Sequence, residues 1–194
     1  MKRLAIYDFD GTLIDSPEPD VGKLQWEEKT GEPYPHKGWW GRKESLNTEV
    51  FDIKPFPDML SKLNSDLKSN SHVIILTSRM EKLRPELENI LSLNDIQVDE
   101  VIMKRGAETK GDVILRIAKY NPDLEYVVVY DDFANDNPSK IKEYTDIKDE
   151  LESKGIQYNI VRVADGRVSN MVESTNILNF MIQDEVLKFR DEYL

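Results

Sequence analysis

Ile6-Tyr7-Asp8-Phe9-Asp10-Gly11-Thr12-Leu13 is the stretch whose reading decides the fold. Two carboxylates stand two residues apart, directly after the apolar run Leu4-Ala5-Ile6-Tyr7, and a glycine follows them at once. Side chains alternate along a β-strand, so Asp8 and Asp10 are expected on one side and Tyr7 and Phe9 on the other. Gly11 lets the backbone turn sharply, and Thr12 sets a hydroxyl at the edge of that turn. Packing gives little reason to end a buried strand in two acids, so the pair reads as chemistry.

Two further apolar runs end in the same way. Val73-Ile74-Ile75-Leu76 leads into Thr77-Ser78-Arg79, and Val127-Val128-Val129-Tyr130 leads into Asp131-Asp132. Continuous apolar runs of this length suit strands buried on both faces of a parallel sheet. Residues 98–102 and 156–163 are expected as further strands, which makes about five. Between them lie helical patterns: one capped by Asp58 with Met59, Leu60, Leu63 and Leu67, one with Pro85 in its first turn, and one capped by Thr109 with Val113, Ile114 and Ile117. Asn137-Pro138 opens a fourth, carrying Ile141, Tyr144 and Leu151 and closed by Gly155. Strand and helix alternating in this way predict an α/β fold, Rossmann-like, with helices on both faces of a central parallel sheet.

The 194 residues suffice for one domain with a modest insertion. The expected organisation is a single domain over 1–194, with a small cap or flap at 14–57 after the first strand and a C-terminal helical extension at 168–194. The flap holds six prolines and all three tryptophans, Trp26, Trp39 and Trp40, and contains a short helix near 21–29. It is too long for an ordinary loop. Asp165-Gly166 marks a turn, and the helix over 175–194 offers Ile177, Phe180, Met181 and Leu187 to the body or to a second subunit as a homodimer surface.

Composition narrows the function classes. There is no cysteine, which excludes disulfides, thiolate metal sites and cysteine nucleophiles. The apolar start stops at Asp8, too short for a signal segment or a membrane span, so a cytoplasmic protein with no membrane partner is expected. A formal net charge of −11 argues against an extended nucleic-acid footprint. It leaves room for a phosphorylated substrate, because a divalent cation with a few basic residues can reverse the potential locally.

Ligands of open α/β sheets bind beyond the carboxyl ends of the strands, where Asp8, Asp10, Thr77, Asp131 and Asp132 are expected to meet. Carboxylates gathered within about 5 Å cost roughly 3 kcal/mol per pair at an effective dielectric of 20. Such a cluster calls for a cation or for shared protons. Oxygen ligands without histidine or cysteine favour Mg²⁺.

The motif Asp8-Phe9-Asp10-Gly11-Thr12-Leu13 resembles the first motif of the haloacid dehalogenase (HAD) superfamily. Thr77 after its strand is similar to the second, Lys110 at a helix start to the third, and Asp131-Asp132 to the fourth, all in the family's order. The resemblance implies a Rossmann-like fold and phosphoryl chemistry. By it, Asp8 is the nucleophile and Asp10 protonates the leaving oxygen and later activates water, with neighbouring carboxylates raising the pKa of Asp10. Mg²⁺ is then held by Asp8, by the backbone carbonyl of Asp10, and by Asp131 or Asp132. Thr77 and Lys110 stabilise the transferring group.

A closer resemblance, carried by Gly38-Trp39-Trp40, Leu76-Thr77-Ser78-Arg79 and Tyr130-Asp131-Asp132, is to the "Swiss Army Knife" RNA-repair-like branch and to polynucleotide 3′-phosphatases. Ser78 replaces a common glycine there, and Phe133 replaces a common arginine. Thr12, Ser78, Arg79, Trp39, Trp40 and Arg42 are the candidate substrate-binding residues. Arg79 is the candidate for a second phosphate, and the two tryptophans either stack on a base or pack the flap. The expectation is a Mg²⁺-dependent phosphomonoesterase acting on a nucleotide or a nucleic-acid-terminal phosphate. A small-metabolite phosphatase and a non-catalytic binding module are the alternatives.

Overall fold

A computed structural model describes residues 1–103 and 105–171, with backbone alone at 135, 136, 170 and 171. In chain order its elements are β1 (Arg3–Tyr7), β2 (Ile14–Asp15), α1 (Pro19–Thr30), β3 (Lys54–Pro55), α2 (Pro57–Lys68), β4 (His72–Thr77), α3 (Arg84–Leu93), β5 (Glu100–Met103) and α4 (Lys110–Tyr120). There follow β6 (Tyr126–Asp131), the single turn α5 (Phe133–Asp136), α6 (Pro138–Thr145), α7 (Lys148–Ser153), β7 (Gln157–Ala164) and β8 (Arg167–Met171).

Six strands form one sheet in the order β5-β4-β1-β6-β7-β8. The first five are parallel to their neighbours, and β8 returns antiparallel to β7 through a turn at Asp165 and Gly166, both with positive φ. The fold is therefore α/β with five parallel strands, as the apolar runs imply. From β1 the chain moves outward to β4 and β5, then crosses back to β6 on the other side. That reversal places the topological switch point beside the carboxyl end of β1, where α/β sheets bind ligands.

The alternation along β1 explains both faces. Ala5 and Tyr7 join Val73, Ile75, Val128 and Tyr130 in a core covered by α2, α3 and the flap, while Leu4 and Ile6 join Ile74, Leu76, Val127 and Val129 in a core that also contains Val113, Ile114 and Ala118 of α4 and Ile141 and Tyr144 of α6. A polar tie crosses the first core. The Tyr7 hydroxyl donates to Asp66 of α2 at 2.6 Å, Lys62 donates to the other Asp66 oxygen at 2.7 Å, and Tyr7 stacks on Tyr130 at 4.7 Å.

The ladder of β1 ends at Tyr7, yet the expected sidedness holds as far as Asp10: Asp8 and Asp10 line one cleft, Tyr7 and Phe9 share one core, and Gly11, with φ +69°, closes a tight turn by donating its amide to the Ile14 carbonyl. Several other expectations are corrected. Asp58 does not cap α2, because Pro57 already occupies the first turn and Phe56 stands at the cap position. The segment after Asn137 is two helices, α6 and α7, rather than one. Residues 168–171 belong to β8 and are not helical. The helix expected over 175–194, with its homodimer surface, lies outside the described residues. Thr109 does cap α4, in a reciprocal box with Asp112.

The flap over 14–57 begins and ends in the antiparallel pair β2 and β3, Ile14 opposite Pro55 and Asp15 opposite Lys54. Its interior is aromatic: Trp39 lies 5.1 Å from Tyr34 and 5.7 Å from Phe51, and Trp26 packs edge-on to Tyr34 at 5.7 Å. Gly22 of α1 is required here, since a Cβ at that position would come within 2.2 Å of the Trp39 ring.

Candidate active site

A cleft of about 370 Å³ opens at the carboxyl ends of β1, β4 and β6. Asp8, Asp10, Thr77, Ser78, Arg79, Lys110, Asp131 and Asp132 line it, with Glu18 and Trp40 of the flap on one side and Lys140, Glu143 and Tyr144 of α6 on the other.

At its floor is a buried ion network. The Lys110 ammonium donates to Asp8 Oδ1 at 2.6 Å and to Asp131 Oδ2 at 2.7 Å. Lys110 reaches both because it is the first residue of α4, whose start packs against α6. A Cβ on Gly111 would meet the Glu143 carbonyl at 2.1 Å, and the Lys110 amide donates to the Glu143 carboxylate at 3.1 Å. Burial alone would lower the Lys110 pKa; the charges of Asp131 and Asp8 outweigh it and raise it. Burial pushes the Asp8 carboxyl well above the usual range. The Lys110 ammonium pulls against that rise, and Asp131 and Asp132 add to it.

Asp131 is held by three donors. Its Oδ1 accepts from the Phe133 amide at 2.6 Å, and its Oδ2 accepts from Lys110 and from the Tyr144 hydroxyl at 2.5 Å. Burial first, and the Asp131 charge second, keep Tyr144 protonated and so a donor. The amide of Asp132 donates to Thr12 Oγ1 at 2.9 Å, and its Oδ1 accepts from Ala134 at 3.0 Å. Phe133 and Ala134 take positive φ, uncommon for side chains of that kind, and their two amides are the ones that grip the Asp131-Asp132 pair. Gly11 leaves the room this arrangement needs, since a Cβ there would come within 2.6 Å of Asp132 Oδ2.

One carboxylate oxygen from each of Asp8, Asp131 and Asp132 lies within 4.8 Å of the others, a set composed of hard oxygen donors around a cavity. That chemistry fits a small divalent cation such as Mg²⁺, which also offsets the repulsion among the three.

Asp10 faces a different partner from the one anticipated. Its carboxylate is turned to a guanidinium instead of to the other acids: Arg79 Nε donates to Oδ2 and Nη2 to Oδ1, both at 2.8 Å, and Ser16 Oγ donates to Oδ1 at 2.7 Å. Arg79 is only 3% exposed. Its Nη1 donates to the Trp40 carbonyl at 2.8 Å and to Ser45 Oγ at 2.6 Å, and its guanidinium lies 4.8 Å from the Trp40 ring centre.

The remaining candidates separate. Thr77 and Ser78 line the cleft, and Thr77 Oγ1 accepts from the Arg79 amide at 3.1 Å. Thr12 is buried beneath Asp132 and supports it without reaching the cleft. Trp40 stands at the mouth, whereas Trp39 is 3% exposed, donates its indole N–H to the Pro17 carbonyl and belongs to the flap interior. The Arg42 side chain is on the surface and is not part of the lining. Tyr144, Ser16 and Ser45 escaped the sequence reading. A tyrosine on the apolar face of α6 was the available signal for Tyr144; the two serines carry none.

No protein-family model matches the sequence, and no curated protein does. Solved structures do resemble it. The HAD domain of a Legionella pneumophila effector protein superposes with TM-score 0.55 at 14% identity, over 87% of this chain and 89% of that one. A class C acid phosphatase from Bacillus anthracis, solved with tungstate bound, gives 0.52 at 13% identity, over 100% of this chain and 79% of that one. A putative phosphoglycolate phosphatase from Lactobacillus delbrueckii gives 0.50 at 15% identity, over 85% and 96%. The chain thus has the haloacid dehalogenase fold, the one that the order of its four motifs implies. Among the described residues, no helix is long and apolar enough to cross a membrane.

Proposed function

We propose that this chain with the haloacid dehalogenase fold is a Mg²⁺-dependent phosphomonoesterase that works through an aspartyl-phosphate on Asp8, and that it takes a nucleotide or a nucleic-acid-terminal phosphate. The observation that carries the reading is Lys110, buried between Asp8 and Asp131 at the switch point of the sheet. A lysine kept charged there orients one Asp8 oxygen and lowers the cost of gathering acids around a dianionic phosphate.

Asp8, Asp132 and the Asp10 carbonyl, with Asp131 beside them, would hold Mg²⁺, which would supply neutralising charge for the phosphate oxygens and favour the ionised form of Asp8 against its burial. Asp8 attacks phosphorus, the bond to the leaving oxygen breaks, and Asp10 gives that oxygen its proton. Water then attacks the same phosphorus, Asp10 takes the water's proton, and the electron pair of the acyl-phosphate O–P bond returns to the Asp8 carboxylate. Thr77 Oγ1 accepts from the Arg79 amide, which leaves its hydroxyl proton to donate to the phosphoryl group.

Support for a nucleotide comes from Trp40, a planar ring at the mouth of the cleft with its face against a guanidinium. The charge of −11 disfavours a long polynucleotide track, so the phosphate is that of a mononucleotide or of a chain end. The test is a side-by-side assay of mononucleotides, 3′-phosphorylated oligonucleotides and sugar phosphates, with and without chelation. Turnover that depends on Mg²⁺ and favours the nucleotide-bearing esters is expected. Preference for sugar phosphates would move the substrate to the small-metabolite class, and full activity after exhaustive chelation would remove the metal.

A further inference from the structure

Arg79 sits where a second phosphate could be met, yet its geometry argues for another task. A guanidinium carries five N–H groups, and contacts to Asp10, Trp40 and Ser45 engage four of them, on a side chain buried from solvent. Lending it to a substrate would break a fork-to-fork ion pair with the partner carboxylate left behind.

The contacts also join two parts of the chain. Arg79 leaves the end of β4, where its amide is bonded to Thr77 Oγ1, and Asp10 leaves the end of β1. The other acceptors, the Trp40 carbonyl and Ser45 Oγ, belong to the flap. Ser45 donates its own proton to the Arg42 carbonyl at 2.7 Å, so its oxygen is presented to Arg79 as an acceptor. Ser16, at the flap's stem, completes the hold on Asp10. Asp10 Oδ1 thus receives two donors and Oδ2 one, which leaves one lone-pair direction on Oδ2 for a water or a substrate oxygen.

We propose that Arg79 is a positioning residue for the second half-reaction: anchored by the flap, it fixes the Asp10 carboxylate so that Oδ2 takes the proton of the water that hydrolyses the Asp8 aspartyl-phosphate. This rests on the roles given to Asp8 and Asp10 above. In the step concerned, the water oxygen bonds to phosphorus, the acyl-phosphate bond between phosphorus and the Asp8 oxygen breaks with its electrons returning to Asp8, and the water proton passes to Asp10. Inorganic phosphate leaves.

The experiment uses the full chain and an aryl phosphate whose acidic phenol departs without a proton, so that formation of the phosphoenzyme does not call on Asp10. Arg79→Lys and Arg79→Ala are compared with wild type by rapid mixing and acid quench of labelled enzyme. Decay of the phosphoenzyme is expected to slow by about tenfold or more, the scale of a misplaced catalytic group, while formation changes by less than about threefold. In steady state kcat and KM then fall together. Ser45→Ala, which withdraws one flap acceptor, should slow decay by a smaller factor. Arg79→Lys keeps charge and bulk, and it carries the test if the alanine variant does not fold.

A rise in KM with unchanged decay would make Arg79 a substrate-binding residue and overturn the proposal. Equal losses in formation and decay would overturn it as well, by reducing Arg79 to a support of the whole site. Unchanged decay in Ser45→Ala would remove the flap from it. A wild type that forms no phosphoenzyme would instead bring down the phosphatase reading itself, an outcome distinct from all of these.

Discussion

The floor of the cleft and the flap above it are built on opposite principles. The floor gathers Asp8, Lys110 and Asp131 at the ends of regular elements, each charge buried and each bonded to another charge. The flap is an aromatic nucleus of Trp26, Tyr34, Trp39 and Phe51 clasped by a two-residue strand pair, with little regular structure beyond α1. Electrostatics position the first and packing positions the second. Arg79 ties the flap to Asp10 at the foot of the cleft, and the substitutions below probe each side of the contrast.

The largest effect is expected at Lys110. Lys110→Met leaves Asp8 and Asp131 without their shared cation, and loss of one partner from a buried ion network costs about 3–5 kcal/mol. Urea unfolding at neutral pH should show a loss of that size; a loss under about 1 kcal/mol would mean that the floor is not held by charge. In the flap, Trp39→Ala should cost about 3 kcal/mol through the cavity it leaves. Trp40→Ala, two-fifths exposed at the cleft mouth, should cost under about 1 kcal/mol and show itself as a higher KM for nucleotide-bearing esters. Equal costs for the two tryptophans would erase the distinction between interior and mouth.

A smaller shift is expected with pH. The folded-state pKa of Asp8 is raised, chiefly by burial, so the folded protein holds that proton to higher pH than a free carboxylate of about 4. Protons therefore compete with Mg²⁺ for Asp8. The half-saturating Mg²⁺ concentration should climb as pH falls, beginning above the ordinary carboxylate range, while Lys110, shifted upward, stays charged throughout. A half-saturation independent of pH across that window would show that Asp8 does not meet the cation.

The same contrast explains what could be read without coordinates. The floor was legible because parallel strands are continuous apolar runs, and a run that ends in Thr77 or in Asp131-Asp132 announces the carboxyl end of a buried strand. Lys110 was legible through Thr109, whose cap fixes where α4 begins. The pairing of Asp10 with Arg79 was not, because it joins side chains across 69 positions. Trp39 and Trp40 are adjacent in a segment without helical or strand period, so nothing in their spacing says which one turns inward. Strand β8 was missed for a similar reason: Arg167, Val168 and Ser169 are exposed and form no apolar run, and their place comes from pairing with β7.

The central claim is that Asp8 is the nucleophile of a phosphomonoesterase. Its most direct test is turnover of an aryl phosphate by wild type and Asp8→Asn with saturating Mg²⁺, with acid-stable label on the protein counted in parallel. The expected result is turnover and labelling in wild type, a fall of about a thousandfold or more in the variant, and no label on it. Turnover retained by Asp8→Asn at near wild-type rate would contradict the account.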